Sequence, residues 1–145
     1  MKNLKFVPIE PDDEEQFDIF KTKSKCFNCK SDIEFITYHS QVNGYDNYLG
    51  SFPFLDEILL KKYPNYLIKR FSKTAGEVVI SNLCRGCDVI QGNFFQSDIW
   101  REQHFGHIKL EFIETINVKI DDLFDEEELI LLNEYEKEMF LEDNK

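Results

Sequence analysis

The chain is short of several things, and each shortage removes a class of protein. Gly and Pro are scarce, at 6 and 4 of 145 residues, and no low-complexity segment or internal repeat appears beyond two cysteine pairs. No run of about 18 or more apolar residues is present, so no transmembrane helix is expected. The start, Met1-Lys2-Asn3-Leu4-Lys5, leads through Phe6-Val7-Pro8 into acid and lacks the apolar stretch of a signal peptide. A cytoplasmic location is therefore expected, where thiols stay reduced. There is no Gly-rich phosphate loop, no Gly-x-Ser-x-Gly and no activated nucleophile. Asp98, Glu102 and His104 form no acid–base constellation, so an enzyme is not expected. No cysteine is left over outside the two pairs.

What is present is a globular composition, 42% hydrophobic and 14% aromatic, with 14 Phe pointing to a Phe-rich core or interface. The length suits one domain with a real core. Net charge is −11 and unevenly spread. Residues 1–20 carry two Lys against six acids, net −4. Residues 21–110 carry twelve Lys/Arg against nine acids, net +3, and residues 111–145 three Lys against thirteen acids, net −10. A single domain spanning 1–145 is expected, with an acidic N-terminal segment (1–20), a metal-clasped β-rich core (21–120) and an acidic C-terminal helix (121–145). This balance argues against a duplex-wrapping protein, which needs a basic footprint.

The four cysteines stand as Cys26-Phe27-Asn28-Cys29 and Cys84-Arg85-Gly86-Cys87, with 54 residues between Cys29 and Cys84. A C-x-x-C pair turns two thiolates toward one ion, and two pairs complete a tetrahedral shell. The long gap is no obstacle, because loop-closure cost grows only logarithmically. One structural Zn²⁺ on Cys26, Cys29, Cys84 and Cys87 is the expectation. Four thiolates leave no open position for a reacting water. Neither pair has the helix N-terminus of a thioredoxin-like redox site, and knuckles fit zinc better than an iron–sulfur cluster. Lys21, Lys23, Lys25 and Lys30 flank the first pair and are expected to offset thiolate charge. Gly86 sits where a tight turn would tolerate positive φ. His39, His104 and His107 read as surface or satisfied core side chains.

The expected class is α+β: an antiparallel, zinc-ribbon-like sheet with a middle helix and a C-terminal amphipathic helix. Residues 4–9 suit an edge strand, Glu10–Glu15 an acidic turn, and Asp32–Tyr38 a strand leaving the first knuckle. Gln41–Gly50 reads as a loop around an Asn43-Gly44 turn, with Tyr45 and Tyr48 exposed or folded back. Ser51–Tyr63 predicts a helix with Ser51 as cap and Pro53 in its first turn. Tyr66–Phe71 and Glu77–Ile80 predict a hairpin delivering the second knuckle, and Val89–Phe95 a further strand. One helical turn is expected at Ser97–Glu102, then paired strands at His107–Ile113 and Ile116–Ile120. Asp121-Asp122 should cap the last helix, whose buried stripe is Leu129, Leu132, Tyr135 and Met139, widened by Leu131 and Phe140.

Arg70-Phe71-Ser72-x-Thr74-x-Gly76, Asn82-x-Cys84-x-x-Cys87 and Gln91-Gly92-Asn93-Phe94-Phe95 together resemble small bacterial four-cysteine zinc-ribbon proteins. Their second knuckle continues into Gln-Gly-Asp/Asn-Phe-Phe. The likeness covers about residues 25–96 and implies the four cysteines as zinc ligands; it implies no particular activity. Asp88 departs from it, standing where a glycine is expected. Two partner classes follow from the charge pattern. The acidic ends suit a basic protein partner, as in an inhibitor or immunity protein for a basic toxin or nuclease. The alternative is a nucleic-acid-associated adaptor using Lys61, Lys62, Lys69, Arg70, Lys73, Arg85 and Arg101 beside Tyr66 and Phe71.

Overall fold

A computed structural model describes residues 5–40, 49–93 and 95–144, and at residues 95 and 97 the backbone only. It is α+β, with two three-stranded antiparallel sheets and helices. In chain order the elements are β1 (Glu14–Lys25), β2 (Asp32–His39), α1 (Pro53–Lys62), β3 (Leu67–Ser72) and β4 (Glu77–Cys84). Then follow β5 (Val89–Gln91), α2 (Phe95–His104), β6 (Glu111–Lys119), α3 (Ile120–Leu123) and α4 (Glu126–Asp143). The first sheet runs β2-β1-β6 and the second β3-β4-β5.

The central strand of the first sheet is one the sequence conceals. Residues 5–9 form no strand, and the expected solvated turn gives way at Glu14 to β1. Phe17 and Ile19 alternate inward and are fully buried, whereas Thr22 and Phe20 face the other side of the sheet. The two strands expected at 107–120 are one strand, β6, paired to β1 along its length. The register jumps between Ile19 and Phe20, whose partners are Glu114 and Phe112. Ile113 is thus the extra residue of a bulge, and the bulge reverses the alternation. That phase break imitates a turn in the sequence.

The inner face of this sheet meets α1 and the second sheet. Phe17, Ile19, Ile36 and Tyr38 pack with Phe52, Leu55, Leu59, Leu67 and Ile80. Phe52 stands edge-on to both Phe17 and Phe124, extending the core toward α3. On the opposite face, the Trp100 ring of α2 meets Phe20 and His39, and its Nε1–H donates to Thr37 Oγ1 at 3.2 Å. Helix α2 is longer than the single turn expected, and β5 ends at Gln91 rather than running on to Phe95.

Helix α1 forms where expected, but its cap position is Phe52, not Ser51, and no side chain caps it. In α4 the cap is Asp125: its carboxylate accepts from Glu128 N–H at 2.8 Å and Glu128 Oε1 accepts from Asp125 N–H at 3.0 Å. Asp121 and Asp122 belong instead to α3. Of the expected α4 stripe only Leu132 is buried, with Leu129 half-buried and Met139 exposed. Leu131 is exposed and adds nothing to the buried face, whereas Phe140 is half-buried against Phe6. The helix is held by Asn133, whose amide accepts from Ile9 N–H at 2.7 Å and donates to Ile9 carbonyl at 2.9 Å.

A second asparagine joins the two sheets by the same chemistry. Asn82 of β4, fully buried, accepts from Ile36 N–H at 2.7 Å and donates to the Ile36 carbonyl at 3.0 Å. A side-chain amide has the donor and acceptor of one peptide unit, so it closes the outer edge of β2 as a strand would. This is what sets the ends of the two sheets side by side. The loop expected around Asn43-Gly44, with Tyr45 and Tyr48, lies outside the described residues.

Candidate metal centre

Each cysteine pair occupies the turn of a hairpin. Cys26 follows the last residue of β1, Cys29 precedes β2, Cys84 ends β4, and Cys87 stands two residues before β5. The two turns have parallel construction. Lys30 N–H donates to Cys26 carbonyl at 3.0 Å, and Asp88 N–H to Cys84 carbonyl at 2.8 Å. In each turn the residue after the second cysteine takes the left-handed conformation: Lys30 has φ 65° and Asp88 φ 59°. Positive φ therefore falls at Asp88, where the glycine was expected, and not at Gly86. A Cβ at Gly86 would stand 3.7 Å from Cys84 Sγ, an ordinary contact, so neither φ nor packing requires glycine there. Arg70 holds Asp88 in place, donating to its carbonyl at 2.8 Å and to Oδ1 at 3.1 Å.

The hairpins bring four sulfurs together from two sheets. All four Sγ atoms lie within 4.8 Å of one another, with Cys26–Cys87 at 3.6 Å and Cys29–Cys84 at 3.7 Å. Tetrahedral ligation with metal–sulfur bonds of about 2.3 Å places sulfurs about 3.8 Å apart, so the set fits one metal ion. Cys26 and Cys84 are buried, Cys87 is half-buried and Cys29 is exposed. Among the described residues no other group of three or more His, Cys, Asp or Glu gathers ligand atoms in this way. His107 pairs with Glu102 at 2.6 Å, His104 stacks edge-on to Phe105, and His39 lies against Trp100.

The thiols are unequal in acidity. Burial opposes the Cys26 thiolate, but N–H groups of Cys29 and Asn28 and the Cys87 thiol outweigh it, lowering its pKa to about 6. The N–H of Cys87 leads in lowering Cys84, with Ser31 and Cys29 assisting against burial. Asn28 favours the Cys87 thiolate too, yet partial burial and the sulfurs of Cys26, Cys84 and Cys29 push that thiol up to about 11. Crowded negative charge resists the last ionisation, and a bound cation removes that resistance. The flanking lysines do little of this work. Lys25 pairs with Asp32 at 2.5 Å, Lys21 lies between Glu34 and Glu111, and Lys30 Nζ donates to Phe27 carbonyl at 2.7 Å.

One residue beside the centre carries a role that spacing does not reveal. Gln91, 2% exposed, donates from Nε2 to Cys26 Sγ at 3.4 Å and to Val89 carbonyl at 3.0 Å. Its Oε1 accepts from Phe27 N–H at 3.2 Å. One amide of the second hairpin thus grips both the ligand and the backbone of the first knuckle. Gln91 opens the Gln91-Gly92-Asn93-Phe94-Phe95 run that carries the zinc-ribbon likeness. Gln91 is the part that touches the site; Phe94 lies outside the described residues.

The cations expected to contact nucleic acid are mostly engaged locally. Lys62 pairs with Glu114, Lys69 with Glu57, Arg70 with Asp88 and Arg101 with Asp98. Arg85 donates to the carbonyls of Pro64 and Asn65. No described helix is long and apolar enough to cross a membrane. No protein-family model, curated protein or solved structure matches the chain.

Proposed function

We propose that this chain is a zinc-clasped, non-enzymatic binding module whose partner is a basic protein, as for an inhibitor or immunity protein of a basic toxin or nuclease. The observation that carries the metal half is the set of four thiols within 4.8 Å, drawn from two hairpins. An all-sulfur tetrahedral set suits Zn²⁺, which has no geometric preference of its own and is structural when four-coordinate. Cys26, Cys29, Cys84 and Cys87 hold the ion, and it fastens the β1–β2 turn of the first sheet to the β4–β5 turn of the second. Removing it unties two elements distant in sequence; it abolishes no reaction.

The partner half rests on charge. The segment 111–145 carries net −10 and α4 opens with Glu126, Glu127 and Glu128, whereas the core cations are largely paired. A surface of one sign accelerates association with the opposite sign and makes it salt-sensitive. Two measurements test the reading. Elemental analysis should find one equivalent of zinc in colourless protein; visible charge-transfer absorption with iron sinks zinc. Capture from a lysate of the source organism should retain one identified basic protein at low salt and release it at high salt. Equal retention of single-stranded RNA or DNA in a filter assay would move the reading to nucleic acid.

A further inference from the structure

Strand β4 has one edge that the fold leaves open. Strand β3 pairs with it from Glu77 to Asn82, but β5 covers only Asn82 to Cys84 on the other side. The direction of its backbone groups is fixed by two hydrogen bonds. Leu83 N–H donates to the Tyr66 carbonyl at 3.0 Å, so odd-numbered residues of β4 turn toward β3. Even-numbered residues turn the other way, and the Asn93 amide reaches the Ile80 carbonyl there at 2.9 Å. Among the described residues, the N–H groups of Val78 and Ile80 and the Val78 carbonyl have no strand facing them.

This edge borders a groove rather than open solvent. A cavity of about 840 Å³ runs beside it, lined by Gly50, Pro53 and Asp56 and by Phe27 and Ile90. The five residues Glu77–Ser81 extend roughly 16 Å at the usual strand rise. Other edges are guarded. Asn82 closes β2, Glu111, Glu114 and Lys119 line β6, and Lys69 and Arg70 lie in β3. Val78-Val79-Ile80 carries no charge, and Val78 is 56% exposed.

We propose that the open edge of β4 is a strand-addition site for an extended segment of another protein, four to five residues long, apolar on alternate positions and carrying a basic residue. Backbone N–H and C=O groups in a row demand a polypeptide backbone, and the groove wall supplies the apolar contact for alternate side chains. The basic residue follows from Glu57 and Glu77 on the rim, where Lys69 is the lone cation among the described residues and already pairs with Glu57 at 2.5 Å. A second copy of a chain with net charge −11 is the poorer occupant. This deepens the partner reading above and rests on it, giving that partner a place.

The test uses the full, metal-loaded chain as bait for displayed random 12-residue peptides. Selection should enrich apolar sequences containing Lys or Arg, and the synthetic winner should slow hydrogen exchange at Val78 and Ile80. Val78→Pro removes one outward N–H and none of the β3 ladder, and should weaken that peptide at least tenfold with metal content unchanged. If Val78→Pro loses its metal, Val78→Lys serves, placing a cation that repels the basic segment on an exposed position of the groove. The site is wrong if no such sequence is enriched, or if the winner binds both variants as tightly as wild type. It is also wrong if sedimentation shows a dimer protecting the same amides without peptide, because the occupant is then a second copy. A basic protein captured equally by wild type and Val78→Pro refutes the edge site and leaves the partner reading standing.

Discussion

Replacing Asn82 by Ala should damage the fold far more than the same replacement at Asn133, although both amides make the same two hydrogen bonds to a backbone unit. Asn82 is fully buried and its partner Ile36 is 0% exposed. Truncation loses two hydrogen bonds worth about 1 kcal/mol each net, and strands a buried N–H and C=O that each cost roughly 1–3 kcal/mol. With partial relaxation the expected loss is about 3–5 kcal/mol, which for a domain of this size lowers Tm by roughly 10 °C or more. Asn133 is half-buried, so water can replace its amide at Ile9 and the loss should be about 1 kcal/mol. Asn82→Asp should also be costly, because a carboxylate oxygen would face the Ile36 carbonyl now served by Nδ2. Urea denaturation of metal-loaded wild type, Asn82→Ala, Asn82→Asp and Asn133→Ala measures all four. Equal losses at Asn82 and Asn133 would refute the view that Asn82 stands in for a missing strand.

Gln91→Ala should lower metal affinity about 10–100-fold while the fold persists, since the amide grips Cys26 Sγ and Phe27 N–H without ligating; chelator competition reads this directly. Lys30→Gly should stabilise by a few tenths to about 1 kcal/mol, because relief at φ 65° exceeds the chain entropy glycine adds; thermal melts that show a loss contradict it. Asp56 is 5% exposed, and burial raises its carboxyl to about 7 against the hydrogen bonds from Tyr38 and Gly50. A raised folded pKa means the folded state holds the proton more tightly, so stability is lost as pH rises from 3.8 through about 7. Comparing wild type with Asp56→Asn from pH 8 to pH 6 cancels metal release. The balance should move toward wild type as pH falls, and a pH-independent difference contradicts the sign.

The gathering of the four cysteines was the most legible feature, because C-x-x-C spacing is local geometry that any fold must respect. The hairpin of β3 and β4 and helix α1 were legible for a similar reason, each marked by period or turn residues; α4 was legible as a helix, but its cap is Asp125 and not Asp121-Asp122. What escaped depends on tertiary context. Strand β1 hides because Glu14, Glu15 and its lysines look like loop, and only Phe17 and Ile19 mark its buried face. Strand β6 reads as a hairpin because the bulge at Ile113 shifts its phase. Gln91 and Asn82 act across 65 and 46 residues of sequence. The zinc-ribbon likeness includes both residues, but no local pattern shows that their amides reach Cys26 and Ile36. In α4 the sequence places apolar residues on more than one face: Leu132 is buried, Leu129, Asn133 and Tyr135 are half-buried, and Met139 is exposed.

Native mass spectrometry of the untagged chain, wild type beside Cys84→Ser, tests the clasp most directly. The account predicts one zinc ion per wild-type chain with four thiol protons displaced. It predicts that Cys84→Ser loses the ion and unfolds at a temperature at least several degrees lower. A wild-type chain without metal, or a Cys84→Ser chain that keeps both its ion and its thermal stability, contradicts it.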